Sequence, residues 1–132
     1  MKLQAMLLEP LFQALLAVQD APMPFATAQS LGRNLVAARD AYEALYANVV
    51  AFRAEHGREL DAALAGLRHG DPVPETGIVR AYLAVRQALD QKLAGDLELD
   101  LEPISVEDLA ECVITPVAAL GLAPLLNGKG DR

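Results

Sequence analysis

Tryptophan is absent from this chain, and aromatic residues make up only 5% of it. A core without large rings must be assembled from Leu, Ala and Val, and 53% hydrophobic residues over 132 positions is enough for one core. Ala and Leu head the helix scale, so the composition alone favours helices. A lone cysteine, Cys112, rules out an internal disulfide and fits a reducing cytoplasm. The two histidines, His56 and His69, fall in neither an HExxH pattern nor at ligand spacing from the cysteine, so a zinc site has little support.

Long hydrophobic runs are also missing. The longest uncharged apolar stretch, residues 113–126, contains Pro116 and Pro124 and falls short of the roughly 20 residues a membrane-spanning helix needs. Met1 to Val18 is interrupted by Glu9, Pro10 and Gln13 and lacks a small-residue cleavage site, so no secretory signal is expected. The chain reads as soluble, located in the cytoplasm. Bases are missing from one segment. Residues 96–111 hold seven acids (Asp96, Glu98, Asp100, Glu102, Glu107, Asp108, Glu111) and no Lys or Arg. Taking these seven from the total of 18 leaves 11 acids against 11 bases, so the net charge of −7 resides in that block. Such a protein is a poor candidate for gripping phosphate backbones, and no nucleic-acid partner is expected.

What is present is helical periodicity. Leu8, Leu11, Phe12, Leu15 and Leu16 form an apolar stripe, with Pro10 where a first helical turn tolerates it, and predict a helix from about Glu9 to Gln19. DAPMP ends it, because Pro22 and Pro24 cannot continue a helix. Next, Ala28, Leu31, Leu35, Ala38, Tyr42, Leu45, Val49 and Phe52 recur at alternating spacings of 3 and 4, a heptad seam. It predicts a helix from about Phe25 to His56, about 45 Å long, with Gly57 as a left-handed C-cap. A weak short helix around Leu60 to Leu67 and a loop through HGDPVPETG follow. Ile78, Tyr82, Val85, Leu89 and Leu93 predict a second helix to about Ala94. It is shorter than its antiparallel partner, so part of the seam is expected to lie open, to be covered by the first helix or by a second copy.

ELDLEPISVEDL has a different period. Leu97, Leu99 and Leu101 alternate with Asp96, Glu98, Asp100 and Glu102, the pattern of a strand over 97–102 with a row of carboxylates on its wet face. A lone strand needs a partner for its amides. Residues 2–7 match it best, since Lys2 and Gln4 would stand opposite the acid face; the same strand of a second subunit is the alternative. Ser105 with Asp108 reads as a capping box opening a short helix to about Cys112, and Thr115–Pro116 opens another, stopping near Gly121. VITPVAALGLAPLL is either a lid on the hairpin or an apolar patch for a partner. NGKGDR is a polar tail, so the chain divides into one domain over 1–126 and a tail at 127–132.

No catalytic constellation emerges. Parallel carboxylates splayed along a strand do not converge as a calcium site requires, Cys112 has no histidine near it in sequence, and GKG lacks the glycine and hydroxyl of a phosphate loop. No enzyme activity, cofactor or metal is expected. The candidate interaction residues are Leu35, Tyr42, Leu45, Val49 and Phe52 on the seam; Glu98, Asp100 and Glu102 on the strand; and Val117, Leu120, Leu122 and Leu125 in the tail.

The order of these features (PMPFATAQSLGRNL opening the long helix, AFRAEHG, then ELDLEPISVEDL and a TP-led apolar tail) resembles a family of small phage- and prophage-encoded helical proteins of unknown function. The likeness spans nearly the whole chain and is most specific from the acidic strand through Pro103, Ile104 and Ser105–Leu109; the GLRHGDPVP insertion and an Ala-rich second helix depart from it. The resemblance implies a bacterial host carrying a phage and a role in virion or tail assembly, and it supplies no known catalytic residues to carry over. The expected fold is therefore mainly α: an antiparallel long-helix hairpin, coiled-coil-like, with an N-terminal helix and a small β element near 97–102. Its expected partners are proteins, either phage structural components or itself as a homo-oligomer. The alternative is a small acidic inhibitor that mimics nucleic acid on a host enzyme.

Overall fold

The structure, a computed structural model, describes residues 1–67, 70–72 and 76–126. His69, part of the HGDPVPETG loop and the polar tail therefore lie outside the described residues. The chain runs through β1 (Lys2–Gln4), a 3-10 turn (Ala5–Leu7), α1 (Leu8–Ala17), α2 (Phe25–Leu64), α3 (Gly77–Leu93), β2 (Asp96–Glu98), a 3-10 turn (Val106–Leu109), α4 (Pro116–Leu122) and a last 3-10 turn (Ala123–Leu125). It is mainly α, built on an antiparallel pair of long helices. Tyr82 of α3 stacks 5.7 Å from Phe52 of α2 and lies under the Arg53 guanidinium. Among the described residues no helix is long and apolar enough to cross a membrane.

α2 is longer than its seam predicts. Its 40 residues extend about 60 Å, and it passes straight through Gly57, which has no positive φ; among the described residues the left-handed glycines are Gly66 and Gly70. The separate short helix expected after Gly57 is simply the end of α2. Energetics explain the correction. A glycine inside a helix costs about 0.5–1 kcal/mol relative to alanine, whereas burying Leu60, which is 0% exposed, contributes about 1.5–3 kcal/mol. Leu60 reaches its buried position only if the helix continues. His56, expected at a helix end, is accordingly mid-helix and stacks on Phe52. A test follows: a Cβ on Gly57 meets nothing within 4 Å, so Gly57→Ala should stabilise the protein by about 0.5–1 kcal/mol in urea unfolding. A loss of stability would instead restore the helix end at this position.

The seam is not left open. Leu31, Ala38 and Leu45 are buried, and Leu35, Tyr42, Val49 and Phe52 are half-buried; only Ala28 is exposed. α1 covers the first half of the seam, with Phe12 against Tyr42 at 5.2 Å between ring centres, and α3 covers the second half. This is the first of the two covers expected from the sequence, and it leaves only Ala28 of the seam exposed. The physical reason is the position of α1, whose Leu8, Leu11 and Leu15 are fully buried because α2 packs on one side of it and α4 on the other.

β2 pairs antiparallel with β1 in the register Lys2↔Glu98, Leu3↔Leu97, Gln4↔Asp96, so the N-terminal segment is the strand's partner within the chain. The strand is shorter than expected and ends at Glu98. Beyond it, Leu101 and Ile104 are buried, and Ile104 bridges to Leu126, donating its N–H to the Leu125 carbonyl at 2.8 Å. Residues on both sides of Pro103 thus turn inward, which a continuing edge strand would not allow. Ser105 does not form the expected capping box. Its hydroxyl bonds the Glu107 carboxylate, and the segment is a single 3-10 turn anchored by buried Leu109.

Candidate functional site: an apolar groove between α1 and α4

α4 is seated on α1 through its smallest residue. The hydrogen side of Gly121 faces the Pro10 carbonyl so closely that an added Cβ would stand 2.4 Å from that oxygen and 2.8 Å from Ala14 Cβ. Thr115 starts α4 as sequence suggested, its hydroxyl oxygen accepting the Ala118 N–H at 3.1 Å. The two helices run antiparallel. Gly121 sits by Pro10, while the Cys112 thiol, ahead of α4, reaches the Pro22 carbonyl at 3.3 Å, beyond the end of α1.

Beside this contact lies a groove of about 580 Å³. Pro10, Ala14 and Ala17 of α1 and Thr115, Val117 and Ala118 near α4 form its long walls; Met6, Glu9, Gln13, Tyr46 and Leu93 complete it. Its polar groups are few. The Tyr46 hydroxyl donates to a Glu9 carboxylate oxygen at 3.3 Å, and burial first, then the Glu9 charge, push the Tyr46 phenol up, so it stays a protonated donor at neutral pH. Tyr42 stacks on Tyr46 at 4.6 Å and fixes its position from the α2 side. From the groove's edge outward α4 turns a ridge to solvent: Val117 is 79% exposed and Leu120 77%, with Val113 at 98% just before the helix. The α4 sequence accounts for this, since Ala118, Gly121 and Leu122 occupy the inward face and leave Val117 and Leu120 on the other.

The sequence-derived candidates divide accordingly. Val117 and Leu120 are surface residues beside the groove. Leu45, Leu122 and Leu125 are buried in the protein's own core, a correction whose reason is that all three face the cluster built around Leu8, Leu11 and Leu15 of α1. Leu35 lines a second, smaller pocket of about 230 Å³ with Met23 and Leu31. Tyr42 and Phe52 are held in aromatic stacks and Val49 is half-buried. Met6, Pro10, Ala14, Ala17, Tyr46 and Leu93 are not among the interaction residues expected from the sequence. No local signal marks them, since Pro10, Ala14 and Ala17 are small apolar residues like many others in the chain.

The acidic segment is not the row of parallel carboxylates expected from its alternation. Asp96 pairs with Lys2 at 3.7 Å and Glu98 with the Met1 amine at 2.8 Å. Glu102 leaves the strand altogether and lands on α2, where Arg33 grips it with both Nε and Nη2 and the Ser30 hydroxyl donates at 2.9 Å. Its backbone is clasped too. Asn34 donates Nδ2–H to the Glu102 carbonyl at 2.9 Å and accepts the Glu102 N–H on Oδ1 at 2.7 Å, in the manner of one rung of a β-ladder. Asp100 remains exposed. Among the described residues no three His, Cys, Asp or Glu side chains converge in a way that could hold a metal ion.

Hydrogen bonds from Arg33 and then Ser30 hold the Glu102 carboxyl down from 4.5 to about 2. Because this pKa is lowered by folding, the contribution is fully present above pH 4.5 and is lost as pH falls from there toward about 2. The carboxylate is 38% exposed, so solvent screens the effect. Glu102→Gln should therefore flatten the fall of the urea midpoint across that pH window; an unchanged acid slope would show that the Arg33 pair contributes nothing.

No family model matches this chain, and no curated protein and no solved structure matches it. The resemblance to phage-encoded proteins rests on the quoted motifs alone.

Proposed function

We propose that this is a non-catalytic accessory protein of a phage or prophage that works through protein–protein contacts in virion or tail assembly, and that the groove between α1 and α4 is its docking surface. The observation that carries this reading is the pairing of an apolar groove with an exposed apolar ridge on α4. Leaving Val113, Val117 and Leu120 in water forgoes about 1.5–3 kcal/mol apiece relative to burying them. A partner that covers them recovers that energy, and contiguous apolar surface beside a concavity is the usual mark of a binding site. The assembly context comes from the family resemblance.

The acidic-inhibitor reading has less to stand on. Asp96, Glu98 and Glu102 are neutralised within the chain by Lys2, the Met1 amine and Arg33, which weakens the field a nucleic-acid mimic must project.

Val117→Asp combined with Leu120→Asp tests the docking surface. Both side chains are exposed, so folding stability should stay within about 0.5 kcal/mol of the parent. Capture of virion components from phage-producing cells should fall by about 30-fold or more, since buried apolar anchors at an interface carry at least about 2 kcal/mol. Undiminished capture by this folded variant, or a parent that recovers no virion component, would overturn the proposal.

A further inference from the structure

Resting on that docking surface, we infer that its occupant is a basic amphipathic helix of another protein, its apolar stripe in the groove and its Lys or Arg side chains over the carboxylates at the two ends. Three observations select this occupant. First, the surface to be covered is wider than the groove. Val117 forms the shared edge of groove and ridge, and Leu120 stands one turn further along α4. A small molecule filling 580 Å³ would leave the ridge wet, whereas a helix laid along α4 covers both, with anchors at i, i+3, i+4 and i+7.

Second, acids stand at both ends. Glu9 closes the end near Tyr46 and Leu93. At the opposite end Glu111 is only four residues before Thr115 and so within about 14 Å of the groove wall, and Glu107 and Asp108 precede it in the turn Val106–Leu109. None of these three has a cationic partner in the described residues, and Glu107 is held ionised by the Ser105 hydroxyl. Cations nearby offset only part of this: Arg86 is paired with Asp90 at 3.7 Å, and Lys92 adjoins Leu93. Third, the same charges disfavour a second copy. Two-fold docking through α4 would bring two sets of these carboxylates together on chains that each carry −7, and like-charge juxtaposition selects against such a pairing.

The test uses the full chain and two labelled helical peptides of about 18 residues, long enough to populate helix in isolation. They share one leucine stripe; one carries lysines on its polar face and the other glutamates. Fluorescence anisotropy should show the lysine peptide binding at least about tenfold more tightly, with affinity falling several-fold as salt is raised past a Debye length of about 8 Å. Glu107→Gln, Asp108→Asn and Glu111→Gln together should remove most of that preference. Val117→Asp with Leu120→Asp should abolish binding even though it adds two negative charges. Tighter binding by that variant would mean charge attraction without a groove and would overturn the inference. Equal binding of both peptides would overturn the basic partner while leaving the docking surface intact, and binding of neither would overturn the inference itself. A parent that sediments as a dimer, made monomeric by the two aspartates, would assign the groove to a second copy instead.

Discussion

Gly121→Ala is expected to destabilise this protein by about 1–3 kcal/mol, and Gly121→Leu by more. The sign is the informative part. Inside a helix, replacing glycine by alanine normally stabilises by about 0.5–1 kcal/mol, because alanine loses less backbone entropy on folding. Here the added methyl would stand 2.4 Å from the Pro10 carbonyl oxygen and 2.8 Å from Ala14 Cβ. The nearest obstacle is backbone within α1, packed on both faces, and it has no flexible end that could swing aside. α4 must therefore lift away, and with it Leu122, a fully buried side chain. The measurement is a lower urea midpoint with an unchanged m-value, beside a Gly57→Ala control that moves the other way. Equal or greater stability for Gly121→Ala would mean that α4 does not lie on α1, and the groove would disappear with that contact.

Asn34→Ala should cost about 2–4 kcal/mol, for a different reason. Asn34 is 0% exposed in the middle of an otherwise apolar helix face, and it satisfies both backbone groups of Glu102. Alanine leaves a donor and an acceptor without partners, each worth about 1–3 kcal/mol of desolvation, moderated by partial water access. The Glu102 amide should lose hydrogen-exchange protection in step. Asn34→Asp discriminates further. Its carboxylate can still accept the Glu102 N–H but faces the Glu102 carbonyl with no proton to give. Unlike the parent, this variant should gain stability as pH falls and the aspartate protonates, because a buried carboxyl is disfavoured in its charged form. A wild-type pH profile for Asn34→Asp would show that the amide group is not the clasp.

Much of this architecture was legible because it is written in local periods. The stripe from Leu8 to Leu16 and the seam from Leu31 to Phe52 specify their helices through side-chain spacing alone. The partner of the acidic strand was legible for a related reason, since Lys2 and Gln4 alternate with Leu3 in the same two-residue period as Asp96, Leu97 and Glu98. The uncharged run 113–126 was legible too, and of the four residues it offered, Val117 and Leu120 are exposed whereas Leu122 and Leu125 are buried. The groove's opposite wall was not, because Met6, Pro10, Ala14 and Ala17 carry no distinguishing chemistry until another helix approaches them.

Where the reading from sequence failed, two demands competed at one residue. Gly57 is a plausible helix end by local preference, and the burial of Leu60 overrides it. Glu102 continues an alternation of acids, and Arg33, Ser30 and Asn34 draw it onto α2 instead. In both cases a contact made outside the local segment overrides a local preference.

The amino-acid sequence by itself determined the courses of α1, α2 and α3 (though not where α2 ends), the matching pattern of the two strands and the concentration of negative charge in one segment, because side-chain period and composition act over neighbouring residues. Only the tertiary structure decided which apolar residues remained at the surface. That outcome depends on α1 lying between α2 and α4 and on a glycine that lets two backbones meet, and contacts between residues a hundred positions apart leave no period behind them.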